Sequence, residues 1–144
     1  MRHMKKIVLV LLAAVMILML AGCGSTGPEG KWIIKSVDGQ PFKEYLKKTI
    51  KEEYGDSITF EEYEAALKER GYASVEEAVS IEFKSDGTAV AKRLAMEYEG
   101  TWKLEGDTII MDSDFAGHYE FKLKGKELIL ETPPNGQEVY VKQK

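Results

Sequence analysis

The sequence predicts a mainly β domain, folded as an antiparallel up-and-down barrel of eight strands with a helical insert between strands 1 and 2. From Val79 onward, apolar and polar residues alternate in short runs, which is typical of strands with one buried face. Turn signals such as Asp86-Gly87 and Asn135-Gly136 separate the runs and indicate hairpins. Successive hairpins favour a meander, and eight strands can close into a barrel whose interior is filled or holds one small ligand.

The predicted strands follow one another closely, apart from the first at residues 31–37. The remaining seven lie at about 79–83, 88–98, 101–104, 108–112, 119–124, 128–130 and 139–141. The strand at 88–98 is predicted to place Val90, Leu94, Met96 and Tyr98 on one face, and Glu99-Gly100 ends it.

The insert, at about residues 40–78, has helical periodicity. Pro41 fits the first turn of a helix, where its missing N–H is harmless, and Gly55 ends that helix. Thr59 with Glu62 three residues later forms a capping box that starts a second helix.

The apolar stripes of these helices need a surface to cover. Tyr63, Ala66 and Leu67 can form a partner-binding face, but an ordinary core-facing stripe is favoured. Because the predicted outer face of the barrel is polar, we expect the insert to close one barrel end as a lid. The lid residues would be Phe42, Leu46, Ile50, Tyr63 and Leu67.

The N-terminal segment looks like an export signal. A short basic start is followed by an uncharged run from Ile7 to Leu20, which fits a secretory h-region. Leu20-Ala21-Gly22-Cys23 at its end resembles the lipobox of bacterial lipoproteins. The alternative is an uncleaved transmembrane helix, but the run is shorter than the roughly 20 residues that span a bilayer.

The lipoprotein resemblance implies a diacylglyceryl group on the Cys23 thiol and cleavage just before it. Residues 1–22 are then the signal peptide, 23–29 a flexible tether and 30–144 the domain. The partner implied is the lipid bilayer, through the acylated Cys23. The implied location is the outer side of the cell membrane, with the domain outside the cytoplasm.

A second resemblance concerns the domain. Gly30-Lys31-Trp32 opens the first strand, and Gly100-Thr101-Trp102 opens a middle one. Together with Gly106-Asp107 and Leu128-Ile129-Leu130, this order is similar to bacterial lipocalin-like lipoprotein domains. The resemblance implies a lipocalin-like barrel and covers the domain except for the insert.

Net charge limits the classes of binding partner, and cysteine content limits how the fold can be stabilised. Cleavage before Cys23 would leave 17 basic and 24 acidic residues, a formal net charge of −7. Nucleic acid is excluded as the expected partner, because its binding needs a basic patch. With no second cysteine, the fold has no internal disulfide and depends on its core.

The candidate binding site is the barrel interior, for a small hydrophobic ligand. The alternative is that the same side chains simply form the core, which a small domain needs for stability. Lys92, in phase with Val90, is a weak pointer to an anionic ligand head. The candidate interior residues are Trp32, Phe83, Met96, Tyr98, Trp102, Tyr119 and Phe121.

Metal and catalytic sites are not predicted. Asp112, Asp114 and His118 lie near one corner, but their spacing matches no zinc or calcium signature. No Gly-x-Ser-x-Gly elbow is present, and His118 has no evident partner for nucleophilic catalysis. We therefore expect a non-enzymatic, membrane-anchored lipoprotein without a cofactor that binds a small apolar ligand. The alternative is a protein-interaction module of the cell envelope, an inhibitor or assembly factor with a filled barrel.

Overall fold

The structure, a computed structural model, describes residues 27–114, 116–132, 134 and 136–143. The predicted signal peptide, Cys23 and the first part of the predicted tether lie outside these residues. Within the described ranges, no helix is both long enough and apolar enough to cross a membrane.

In the described part of the chain, nine β-strands form a single antiparallel sheet that closes on itself. Their bounds are β1 Gly30–Val37, β2 Gln40–Pro41, β3 Val79–Phe83, β4 Thr88–Arg93, β5 Met96–Glu105, β6 Thr108–Ser113, β7 Gly117–Lys124, β8 Glu127–Thr132 and β9 Gly136–Lys142. The two-residue β2 pairs only with the end of β1, whereas β1 pairs with β3, and β3 to β8 each pair with the next strand in sequence. Pairing of β9 with β1 closes the barrel, so the predicted eight-stranded up-and-down architecture is confirmed.

The insert between the first two barrel strands contains two α-helices and one 3₁₀ turn. Their bounds are α1 Phe42–Tyr54, α2 Phe60–Glu69 and the 3₁₀ turn Glu76–Ala78. The Thr59 side chain accepts a hydrogen bond from the Glu62 N–H, and the Glu62 carboxylate accepts one from the Thr59 N–H. The predicted capping box is therefore present at the start of α2.

The insert buries its apolar stripe. Phe42, Leu46 and Ile50 on α1 and Leu67 on α2 belong to the buried core, while Tyr63 is partly buried against it. Because isolated helices of this length are marginal in water, this burial is what holds them in place.

The turn between β4 and β5 is not where the sequence suggested. The sequence placed a turn at Glu99-Gly100, but the chain turns at Leu94 and Ala95, and β5 runs through Gly100. Leu94 has a φ of 58°, an unusual value for a non-glycine residue, and its N–H donates to the Ala78 carbonyl at 2.7 Å. A contact with the insert, rather than a turn-forming residue, thus fixes this hairpin.

The corrected turn changes which side of β4 faces the interior. Arg93 lies opposite Val79 and in phase with the fully buried Ala89, so it is on the inner face. Lys92 and Val90 are on the outer face, and the prediction that they line the interior was wrong.

Candidate functional site

The predicted interior residues are spread over the whole length of the barrel. Trp32, Phe83 and Phe121 are buried, and Tyr98, Trp102 and Tyr119 are partly buried. Met96 is 53% exposed, because it starts β5 at the rim beside the turn. The seven residues therefore do not form one common pocket.

Two of them close the barrel end at which β1 begins, here called the tryptophan end. The Trp32 indole N–H donates to the Pro28 carbonyl at 2.8 Å, and the Lys142 ammonium lies 5.9 Å from the Trp32 ring centroid. The Trp102 indole N–H donates to the Lys84 carbonyl, also at 2.8 Å. Indole groups with satisfied N–H donors at this end act as plugs rather than as walls of a cavity.

Three other predicted residues, Tyr98, Tyr119 and Phe121, line a cavity inside the barrel. Its volume is about 50 Å³, far below the roughly 300–1,000 Å³ of typical ligand pockets. A space of this size is too small for an ordinary small-molecule ligand. The barrel interior is thus mostly a packed core.

An ion pair between a buried carboxylate and a half-exposed guanidinium lies beside this cavity, at the barrel end where β1 finishes, here called the helix end. Arg93 Nη2 donates to Glu138 Oε1 at 2.9 Å, and the Tyr140 hydroxyl donates to the same oxygen at 3.4 Å. The Glu138 side chain is 4% exposed, whereas that of Arg93 is 53% exposed. Glu138 Oε2 is buried and has no hydrogen-bond partner among the described residues.

The pKa values of the two side chains that donate to Glu138 are both raised. Burial raises the pKa of Tyr140 above its usual range, and the neighbouring Glu138 carboxylate raises it further, so the hydroxyl stays a donor. Burial works against the charged form of Arg93, but the charge and hydrogen bond of Glu138, together with Tyr140 and Tyr119, outweigh it and raise the pKa of Arg93. Both neighbours of Glu138 therefore hold their protons.

A groove separates α1 from the helix end of the barrel. Its volume is about 370 Å³, within the range of small-ligand sites. Arg93 and Glu138 lie on the barrel side, and Tyr45 and Thr49 lie on the helix side. The apolar lining residues are Val37, Phe42, Leu46, Val79 and Leu94. The groove thus combines an apolar surface with a few polar groups, as binding sites for small molecules do.

Sequence reasoning missed both charged residues of this site. Arg93 was missed because the turn was placed five residues too late, at Glu99-Gly100 rather than at Leu94-Ala95. Glu138 does carry a signal, since it is two residues from Tyr140 and so on the same face of β9. A charged residue in phase with a buried aromatic one marks an inward-pointing charge.

The candidate metal corner is a hydrogen-bonded group on the outer surface. His118 Nδ1 lies 2.7 Å from Asp112 Oδ1, and His118 Nε2 lies 3.4 Å from Glu120 Oε1. The hydrogen bond to Asp112 and, next, that to Glu120 raise the pKa of His118. Among the described residues, no three His, Cys, Asp or Glu side chains are arranged to hold a metal ion. Asp114 is exposed beside this corner.

Comparisons with known proteins add one structural likeness. No family model and no curated protein matches the chain. A crystal structure of a DUF4847 family protein from Bacteroides vulgatus is similar over 81% of this chain and 95% of its own, with 16% identity and a TM-score of 0.48. At these values the likeness carries no argument about function.

Proposed function

We propose that this protein is a non-enzymatic, exported lipoprotein, anchored to the cell membrane through acylated Cys23, that binds a small, largely apolar ligand. The proposed binding site is the groove between α1 and the helix end of the barrel. One observation carries the proposal: an apolar groove of about 370 Å³ surrounds a buried carboxylate that has an unpartnered oxygen.

The groove supports ligand binding better than the barrel interior does. The interior cavity has about one seventh of its volume, and its walls are packed aromatic rings such as Phe121 against Tyr140 at 6.3 Å. The groove is bounded by a helix that is held largely by side-chain burial. Small-ligand sites are commonly concave, mostly apolar surfaces with a few polar groups that fix orientation.

The proposed anchor determines which way the groove faces. The Lys142 ammonium donates to the Gly27 carbonyl at 2.9 Å, and the Trp32 indole holds Pro28. The chain therefore reaches the barrel at the tryptophan end. The four residue-to-residue steps from Cys23 to Gly27 span at most about 14 Å. An acylated Cys23 would hold the tryptophan end towards the bilayer and leave the groove facing away from it.

The anchor is tested by Cys23→Ser in cells that are fed a fatty-acid analogue. Lipidation needs the thiol, so we expect the variant to lose the label and to accumulate as the uncleaved precursor. The chain has no other cysteine, so any label left on the variant cannot come from a second thiol. Equal labelling of variant and wild type would contradict the lipoprotein proposal.

The site is tested by filling the groove from the helix side. Thr49→Trp adds bulk where α1 lines the groove, while Lys48→Trp adds the same bulk at an exposed position of α1. Native mass spectrometry of the mature lipoprotein, released from detergent micelles, should show a small molecule bound to the wild type and to Lys48→Trp. We expect occupancy to fall at least fivefold in Thr49→Trp.

Two results of this experiment would count against the groove. An equal adduct in both tryptophan variants would place the ligand elsewhere. No adduct in any of the three proteins, at unchanged thermal stability, would favour the second candidate function.

That second candidate is a protein-interaction module of the cell envelope. One observation favours it: apolar side chains lie next to each other on the outer face of β1, β9 and β8. Ile33 lies opposite Val141, and Ile129 lies opposite Val139. All four are partly exposed, so this outer face is less polar than the sequence pattern suggested.

A further inference from the structure

We propose that the ligand of the groove carries a primary ammonium group, which pairs with Glu138, on a short apolar body. This inference rests on the proposed function and adds the chemical class of the ligand. Three features of the groove support it: the unpartnered oxygen of Glu138, the balance of charges and the apolar lining.

The carboxylate of Glu138 is only half satisfied. Oε1 accepts from Arg93 and Tyr140, whereas Oε2 has no partner among the described residues and no contact with solvent. A buried carboxylate oxygen without a hydrogen bond is unfavourable, so a donor that reaches it gains more than the same donor at the surface. Glu138 lines the groove, and a ligand head at that wall would supply the missing donor once the carboxylate turns towards it.

The charges along the groove favour a cation. The charged residues that line it are Asp38, Arg93 and Glu138, a formal charge of −1 in the part of the chain that the structure describes. Arg93 is already committed to Glu138 at 2.9 Å, so an anionic ligand would face two carboxylates and one partly neutralised guanidinium. An ammonium group instead restores neutrality and can donate up to three hydrogen bonds.

The other residues that line the groove determine the size and the apolar character of the ligand body. The apolar lining includes Phe42 and Leu46 on α1, and Val79 and Leu94 on the barrel. At about 30 Å³ for each water-sized group, the groove has room for on the order of ten non-hydrogen atoms. A short alkyl or aryl amine fits these limits, whereas a long-chain lipid does not.

Three probes of equal length separate the possible heads: hexylammonium, hexanol and hexanoate. Each is titrated into the mature lipoprotein in the same detergent, and binding is followed by the methyl NMR signals of Leu46 and Leu94. We expect hexylammonium to bind at least tenfold more tightly than hexanoate, with hexanol between them.

The contribution of Glu138 is measured with Glu138→Gln, which keeps the shape and removes the charge. We expect this variant to lose at least fivefold in affinity for hexylammonium and to leave hexanol within twofold. Glu131→Gln is the matched control, because Glu131 is an exposed residue on β8 and its loss changes the net charge equally. That control should bind all three probes as the wild type does.

Asp38→Asn provides a second variant that does not disturb the Arg93–Glu138 pair. Asp38 Oδ1 accepts from the Gln137 N–H at 2.7 Å, and asparagine keeps this acceptor and tolerates the positive φ of 53° at this position. We expect it to weaken hexylammonium binding about twofold to threefold. If Glu138→Gln does not fold, an unchanged affinity in Asp38→Asn would overturn the inference.

The outcomes separate this inference from the proposed function. Groove signals that respond to no probe would contradict both. Equal binding of hexylammonium and hexanol, unchanged in Glu138→Gln, would leave the groove as the binding site and refute the ammonium head. Tighter binding of hexanoate would show that Arg93, rather than Glu138, meets the ligand.

Discussion

Replacing Trp32 with alanine is expected to lower the free energy of unfolding by roughly 3–5 kcal/mol, the range for large aromatic truncations in cores. The side chain is only 2% exposed, and its indole N–H holds the Pro28 carbonyl at 2.8 Å. The truncation therefore leaves a cavity at the tryptophan end and frees the segment that leads into β1. Urea unfolding of the mature protein, followed by far-UV circular dichroism, measures the change.

Two variants show whether burial or the hydrogen bond dominates. Trp32→Phe keeps most of the volume and loses the indole donor, so a loss of about 1 kcal/mol is expected. Trp102→Ala removes an equally large but only partly buried ring and should cost less than Trp32→Ala. A loss below about 1 kcal/mol for Trp32→Ala would mean that the tryptophan end is not part of the cooperative core.

The barrel could be predicted because its signal is repeated along the chain. Each of the later strands combines period-two alternation with a turn signal. A wrong assignment in one strand therefore does not change the predicted barrel, because the neighbouring strands are assigned independently. The helices were equally predictable. The Thr59–Glu62 capping box, for example, depends only on residues close in sequence, because it satisfies the N–H groups of Thr59 and Glu62 themselves. Closure by β1 and β9 followed from the strand count and the absence of a crossover.

The candidate site could not be predicted to the same degree. The β4–β5 turn depends on a long-range hydrogen bond from the Leu94 N–H to the Ala78 carbonyl. No residue close to the turn in sequence predicts this bond. A turn displaced by an odd number of residues reverses the inward and outward sides of a strand, because side chains alternate with period two. The predicted phase therefore placed Lys92 rather than Arg93 on the inner face, and Glu138 had no predicted partner there.

The groove depends on the position of α1 relative to the barrel, which periodicity does not specify. The stripe of Phe42, Leu46 and Ile50 predicted a buried helix face, and burial of these residues agrees with it. The stripe does not show whether the helix seals the barrel or leaves a gap. The gap lies where Arg93 and Glu138 occupy the rim, because a charged pair cannot be covered by apolar side chains without loss of hydrogen bonds.

Gly100, where the sequence suggested a turn, lies instead at a close approach between two strands of the sheet. The sequence suggested that this glycine forms a turn, but it lies inside β5 opposite Ala89. A Cβ atom built at this position would collide with the Asp112 carbonyl oxygen and lie 3.1 Å from the Asp112 carbonyl carbon. A glycine inside a strand often marks such a close backbone approach. Here the approach is between β5 and the end of β6.

Gly100→Ala is therefore expected to lower the free energy of unfolding by roughly 2–3 kcal/mol, the upper part of the usual range for overpacked sites. The colliding atoms belong to backbone, so relief requires β5 and β6 to separate, which also strains the bond from Ser113 Oγ to the Glu99 carbonyl at 2.8 Å. Thr101→Ala, at the exposed neighbouring position, is the control and should change stability by no more than about 0.5 kcal/mol. Urea unfolding of both variants measures the difference, and equal stabilities would show that the two strands are further apart at this point.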